Sequence, residues 1–115
     1  MTITLRLPAP PSTNALFANV PGKGRVKTAA YRSWLSAAGW DVAQQRQSPI
    51  KGDVALDILC EKRNGRRPDL GNMDKAIEDL LVRHALIEDD RFVVDVRLRF
   101  APVAGVVVTV TGVAA

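Results

Sequence analysis

Apolar residues recur along this chain with two different periods, and the order in which these periods alternate constrains the fold. Three segments alternate in apolar character, as half-buried strands do: 2–7, 54–60 and 92–100. A turn over residues 101–105 then leads into a fourth predicted strand, 106–111. Two segments between them show the three- and four-residue spacing of amphipathic helices instead, one starting after Thr28 and one running from about residue 70 to 85. The order β-α-β-α-β-β predicts the α/β (α+β) class, with a mixed four-stranded sheet and two helices in a single domain over residues 1–115.

Local signals complete this prediction. Residues 12–27 are rich in Asn, Pro, Gly and basic residues and are predicted to be a loop. The last two strands are close in sequence and are expected to form a hairpin. The apolar stripe of the first helix is Tyr31, Trp34, Leu35, Ala38 and Val42, and that of the second is Met73, Ala76, Ile77, Leu80, Leu81 and His84. We expect His84 to pack in the core at the helix end rather than to act as a ligand.

Trp40 falls on the opposite side of the first helix from its apolar stripe. We expect either that a loop covers this ring or that a partner chain buries it. The pattern does not decide between these two interpretations.

The single cysteine and the lack of long apolar runs limit where the chain can work. Cys60 has no partner for an internal disulfide, so a reducing, cytoplasmic environment is expected, with Cys60 as a small core residue. No apolar run approaches the ~20 residues that a membrane span needs. The first residues also show no signal-peptide pattern. We therefore expect no membrane partner.

Charge is distributed unevenly along the chain. Residues 1–52 contain seven Lys or Arg and one acid, whereas residues 53–115 contain nine Lys or Arg and eleven acids. Seven of those acids lie between residues 69 and 90. A basic surface with an acidic cluster suits a protein that binds a polyanion and a cation. The competing interpretation is a basic protein that has one acidic helix.

The acidic cluster has two parts, one at the start of the second helix and one in the loop after it. Asp69, Asp74 and Lys75 belong to the first part, and Asp89 and Asp90 to the second. If the two parts meet, they offer the oxygen ligands that Mg²⁺ prefers, with a lysine beside them. If they do not, acids at a helix start merely favour the helix dipole. Which strands are neighbours decides this, and periodicity cannot show it.

The stretches RPDLGNMDKA, from Arg67 to Ala76, and LPAPPSTN, from Leu7 to Asn14, resemble the signature of the RusA family of Holliday junction resolvases. The stretch from Arg67 to Ala76, RPDLGNMDKA, followed by Asp79-Leu80-Leu81, is similar to the family pattern R-x-D-L-D-N-x-x-K-A-x-x-D-x-L. The pair Asp89-Asp90 follows at the expected distance, and the stretch from Leu7 to Asn14, LPAPPSTN, resembles the opening of the family. The resemblance covers essentially the whole chain.

The resemblance implies a homodimeric, structure-selective endonuclease of DNA recombination and repair, common in prophages, that resolves four-way junctions with Mg²⁺ or Mn²⁺ and no small-molecule cofactor. By position, Asp69 and Asp90 are similar to its metal-binding catalytic carboxylates, and Lys75 to its catalytic lysine. Asp74 and Asp89 are further expected metal ligands. Asn72 and Asp79 are expected to brace the start of the helix.

Gly71 departs from the family motif, which has an aspartate there. Glycine offers no metal ligand, so the site loses one of three principal acids. Three explanations remain open: Asp74 substitutes for the missing acid, the residue was changed deliberately to trap an inactive form, or this member binds junctions with weak cleavage or none.

Basic residues in two loops are expected to contact DNA phosphates. The expected DNA-binding residues are Asn14, Lys23, Arg25, Lys27, Arg63, Arg66 and Arg67. Solvated loop charge explains Lys23 and Lys62 equally well. Phe17 lies in the first loop, where it would either stack on bases at the junction centre or pack on its own domain.

Overall fold

A computed structural model describes residues 1–11, 15–62 and 73–113 of the chain. It contains two α-helices, six strands and a short 3₁₀ helix at Asp90–Phe92. In chain order the main elements are β1 (Thr2–Leu7), β2 (Phe17–Val20), β3 (Gly24–Lys27), α1 (Ala29–Gln45), β4 (Val54–Glu61), α2 (Asp74–Arg83), β5 (Val93–Ala101) and β6 (Val106–Gly112). The expected mixed four-stranded sheet with two helices is confirmed.

The four-stranded sheet has the order β1-β6-β4-β5, so the predicted hairpin between the last two strands is wrong. β5 pairs in parallel with β4, and β6 pairs with the opposite side of β4 in the antiparallel direction. The connection from β5 to β6 crosses the end of β4, where the Glu61 amide donates to the Gly105 carbonyl at 2.9 Å. Strands adjacent in sequence are usually neighbours in a sheet. Here the β4-α2-β5 crossover places β5 beside β4, so β5 does not pair with β6.

The segment predicted as a loop over residues 12–27 contains a hairpin, so that prediction is also wrong. β2 and β3 pair antiparallel, and Gly22 and Gly24 adopt positive φ in and after the turn. Each strand is four residues long, which is too short for alternation to distinguish it from loop sequence. The hairpin carries Phe17 and Lys27 to the start of α1.

The predicted apolar stripes are confirmed as one core. Those of α1 and of α2 up to Leu81 are buried together with the inward residues of β1, β4 and β6. Thr28 is the N-cap of α1 as predicted, because its Oγ1 accepts from the Tyr31 amide at 3.1 Å. The Tyr31 side chain is fully buried, which fixes the start of α1 against the core. Cys60 is a buried core residue, also as predicted.

The structure also tests the predictions for the two ends of α2 and for Trp40 on the outer side of α1. The three residues expected to begin the second helix, 70–72, lie outside the described residues. The helix ends at Arg83, after which Ala85 adopts a positive φ. His84 is half-buried rather than in the core.

Trp40 is 68% exposed, so no segment of the described chain covers its ring. Among the described helices, none is long and apolar enough to cross a membrane.

Candidate active site

The outward side of α2 carries a row of charged residues because the apolar residues of the helix lie on its other side, which is buried in the core. Ala76, Ile77, Leu80 and Leu81 are buried, so the intervening residues point away from the sheet. Lys75 and Asp79 are separated by one helical turn, as are Asp74 and Glu78. The helix thus presents three carboxylates and a lysine on its exposed surface.

The loop before β5 brings two more carboxylates to this surface. The Asp89 side chain accepts from the Arg91 amide at 3.1 Å and caps the 3₁₀ helix that begins at Asp90. This hydrogen bond from the backbone is the main reason that the pKa of Asp89 is lowered. A hydrogen bond with Asp89 raises the pKa of Asp90, and the charge of Asp79 raises it further, whereas the charge of Lys75 lowers it. Asp90 therefore lies within electrostatic reach of the charged row on α2.

Glu78 is the carboxylate most affected by this crowding. Desolvation by burial is the main cause that raises its pKa from an ordinary 4.5 to about 7, and a hydrogen bond with Asp74 adds to it. The charges of Asp74, Asp90 and Asp79 act in the same direction. Like charges held this close destabilise one another until a proton or a cation neutralises them. The site therefore carries an excess of negative charge that favours cation binding.

The crowding at Glu78 predicts that the metal-free protein loses stability as the pH rises from about 5 to about 7. The folded state raises the pKa of Glu78, so between these pH values the folded chain binds more protons than the unfolded chain. This contribution to stability is present below the unfolded pKa and is lost as pH passes through the folded one. Because Glu78 is only partly buried, we expect a loss of about 1 kcal/mol in the free energy of unfolding.

Urea unfolding in a chelator, at several pH values, measures this loss. Glu78→Gln should flatten the profile over the same interval, since glutamine does not titrate. Asp95→Asn, which removes an acid on exposed β5, should leave the slope unchanged. A wild-type protein that grows more stable from pH 5 to 7 would contradict the assignment.

A pocket of about 430 Å³ lies between α1, α2 and the 89–90 loop. Its lining residues are Phe17, Lys27, Tyr31, Leu35, Asp79, Val82, Arg83, Asp89 and Asp90. The Tyr31 hydroxyl donates to Asp79 Oδ2 at 2.8 Å and ties the two helices together at the wall of this pocket. Burial, followed by this hydrogen bond, raises the pKa of Tyr31 well above its usual range, so the phenol keeps its proton. We call this space the acidic pocket.

Phe17 packs on its own domain, which is one of the two placements expected for it. Its ring meets Tyr31 edge to face at 5.7 Å between centroids, and the Arg25 guanidinium lies 4.5 Å from its centroid. Arg25 therefore covers the ring at the rim of the acidic pocket.

The structure thus brings together four of the predicted site residues. Lys75 and Asp90 interact electrostatically, Asp89 lies beside Asp90, and Asp74 is linked to them through Glu78. Of the hairpin cations, Lys27 lines the acidic pocket, Arg25 covers Phe17 and Lys23 is exposed in the turn. The remaining predicted residues lie outside the described residues: Asn14, Arg63, Arg66, Arg67 and Asp69.

Sequence reasoning missed three residues of this site. Glu78 was detectable, because it lies one helical turn after Asp74 on the same face. Tyr31 carried no such signal, since its position in the apolar stripe of α1 predicted only core packing. Arg83 lies at the end of α2, where a basic residue is expected simply to favour the helix dipole.

The donors at this site match a hard divalent cation in kind. Carboxylate oxygens are the ligands that Mg²⁺ and Mn²⁺ prefer, and neighbouring acids contribute to the raised pKa values of Glu78 and Asp90. Within residues 1–11, 15–62 and 73–113, no three potential ligands converge closely enough to hold a metal ion. A complete ligand set would need a further residue, and Asp69 is the acid expected from the motif.

Comparison with known proteins identifies the family. No curated protein matches the chain in a sequence search. The family model for endodeoxyribonuclease RusA matches residues 8–111, which include the hairpin, both helices and all of the acids described above. The chain therefore belongs to the RusA endodeoxyribonuclease family.

Proposed function

We propose that this chain resolves four-way DNA junctions by hydrolysing phosphodiester bonds at the acidic pocket with a divalent cation, Mg²⁺ or Mn²⁺. Family membership supports endonuclease action on branched DNA. The observation that carries the proposal is that Asp79 of α2 lines one pocket with Asp89 and Asp90, and that Lys75 lies within electrostatic reach of Asp90. These acids come from two separate segments, α2 and the loop before β5.

The cation would be held by Asp69 and Asp90, with Asp74 and Asp89 as further ligands. When bound, it would supply Lewis acidity that activates water and neutralises charge on the phosphate under attack. The remaining chemistry belongs to the protein. Lys75 is exposed beside Asp90, where its ammonium would stabilise the charge that develops on the phosphate oxygens.

Neighbouring residues would hold the pocket and the DNA in place. The Tyr31–Asp79 hydrogen bond joins α1 to α2 at the wall of the acidic pocket. Lys27 and Arg83 line the same pocket and would attract the phosphate backbone to a site that is otherwise negative. Hairpin residues Lys23 and Arg25 would extend this attraction, as would Asn14, Arg63, Arg66 and Arg67.

A cleavage assay tests this function directly. A labelled four-way junction should be cut in Mg²⁺ and not in EDTA, and a linear duplex with the same arm sequences should remain intact. Absence of junction binding even at low salt would overturn the proposal and favour an interaction domain with no role on DNA.

A second candidate function is junction binding with weak cleavage or none. It is favoured by Gly71, which replaces the aspartate of the family motif and supplies no metal ligand. This alternative predicts tight, salt-sensitive binding to the junction without nicking in Mg²⁺ or Mn²⁺. The two functions share the DNA surface and differ only in the competence of the metal site.

We further propose that the chain acts as a homodimer, because junction resolution needs two matched nicks and two-fold symmetry supplies two equivalent sites. The exposed Trp40 ring is our proposed part of the interface. Light scattering should give twice the 12.5 kDa chain mass for the wild type and the monomer mass for Trp40→Ala. An unchanged dimer mass in Trp40→Ala would show that Trp40 is not needed for the interface.

A cytoplasmic location for the protein also remains a prediction.

A further inference from the structure

A second pocket, of about 500 Å³, opens beside the acidic pocket and differs from it in charge. Its lining residues are Lys27, Arg32, Leu35, Ser36, Gly39, Arg83 and His84. None of these is acidic. Lys27, Leu35 and Arg83 line both pockets, so the two pockets are adjacent and share one wall. We call this second space the basic pocket.

The cations of the basic pocket lack ion-pair partners in the described chain. The ion pair found among residues 1–11, 15–62 and 73–113 joins Arg99 to Asp57, on another part of the molecule. Arg32 instead donates from Nη1 to the Lys27 carbonyl at 2.6 Å, which holds its guanidinium beside Lys27. Lys27, Arg32 and Arg83 thus present three cations to one pocket whose lining contains no acid, and all three would attract an anion bound there. The arrangement therefore suits an anionic ligand.

The His84 ring fits at this pocket because Gly39 on α1 has no side chain. A Cβ at Gly39 would lie 2.9 Å from His84 Nε2 and 3.1 Å from Cε1, closer than the ring could tolerate without moving. A glycine inside a helix costs about 1 kcal/mol relative to alanine. At Gly39 that cost makes room for an imidazole, which can donate a hydrogen bond into the pocket.

We propose that the basic pocket binds a backbone phosphate of the DNA next to the phosphate placed in the acidic pocket. Arg32, Arg83 and Lys27 supply the charge, and His84 supplies a directional donor. Because the two pockets share the wall formed by Lys27, Leu35 and Arg83, a strand with one phosphate in the acidic pocket would bring a neighbouring phosphate to the basic pocket. This inference rests on the proposed function, adds Arg32 and His84 to its DNA surface, and assigns a phosphate position to Arg83 and Lys27.

Fluorescence anisotropy with a labelled four-way junction, without divalent metal, tests the assignment separately from cleavage. We expect Arg32→Gln and Arg83→Gln each to raise the Kd by about 3- to 10-fold at ~0.1 M salt and to reduce the salt dependence of log K by up to about 0.9. Gly39→Ala removes no charge and should also raise the Kd, since its Cβ would displace the His84 ring. Arg97→Gln is the matched control on exposed β5, and its Kd should change less than twofold.

The outcomes separate this inference from the proposed function. Junction binding that is unaffected by Arg32→Gln, Arg83→Gln and Gly39→Ala would overturn the basic pocket alone. Equal losses in these variants and in Arg97→Gln would also overturn it, because they would reflect net charge rather than a site. Failure of the wild-type chain to bind the junction would overturn the proposed function and this inference together. Thermal unfolding of each variant confirms that it is folded, and Arg32→Lys, which keeps the charge, should restore most of the binding.

Discussion

Replacing Gly71 with aspartate is expected to raise the rate of four-way junction cleavage by at least about a hundredfold. The family motif has an aspartate there, and the substitution would restore a third carboxylate to a site proposed to use Asp69 and Asp90. A hundredfold gain corresponds to about 2.7 kcal/mol of transition-state stabilisation, a modest amount for one metal ligand. The expected result is a wild-type chain that cuts slowly and a Gly71→Asp variant that cuts at least about a hundredfold faster.

Single-turnover cleavage with the protein in excess, in Mg²⁺, measures this gain without interference from product release. Gly71→Asn is the matched control, because it adds nearly the same side-chain volume without a negative charge. Equal rates for the Asp and Asn variants would show that the missing carboxylate does not limit the reaction.

The wild-type rate decides which explanation of Gly71 holds. If the wild-type chain already cuts as fast as Gly71→Asp, Asp74 is the expected substitute ligand, and Asp74→Asn should then abolish the wild-type activity. If the wild-type chain binds the junction without cutting it, the second candidate function is supported.

Elements with a clear period were predicted correctly from the sequence because their period follows from packing against one core. The stripe from Tyr31 to Val42 is buried as predicted, and Thr28 caps the helix that carries it. Strand order was not predictable in the same way. Whether β6 pairs with β4 or with β5 depends on the crossover that places α2, which leaves no periodic trace in residues 93–112.

The composition of the site was predictable, and its geometry was not. Spacing along α2 placed Asp74, Lys75 and Asp79 on its outward surface, since these positions lie off the apolar stripe. The approach of Asp90 to that surface depends on how the 3₁₀ helix packs against α2, which is a non-local contact. The Tyr31–Asp79 hydrogen bond spans 48 residues, so no local pattern could reveal it.

The basic pocket could not be predicted from the sequence, because its residues look like ordinary surface charges until the two helices pack together. Arg32 and Arg83 lie on different helices and look like ordinary solvated charges in the sequence. They become a site only when α1 and α2 pack side by side with Gly39 against His84. Such sites can be found only once the packing of the helices is known.

Replacing Asp90 with asparagine in the Gly71→Asp background is expected to lower the cleavage rate by about a thousandfold or more. Asparagine keeps the size of the side chain but removes the negative charge that would hold the cation and that already interacts with Lys75 and Asp79. Junction binding without metal should be unchanged or tighter, because one acid fewer faces the DNA. Single-turnover cleavage and anisotropy on the same junction measure the two effects separately.

A second readout for Asp90 does not depend on cleavage. If Asp90 is a metal ligand, Mg²⁺ should raise the unfolding temperature of the Gly71→Asp variant, since a ligand that binds only the folded state stabilises it, and this increase should be lost in Gly71→Asp/Asp90→Asn. The matched control is Asp95→Asn in the same background, which removes an exposed acid on β5 and should preserve both the cleavage rate and the Mg²⁺-dependent increase. An Asp90→Asn protein that keeps full cleavage and full Mg²⁺ stabilisation would show that the cation is held elsewhere.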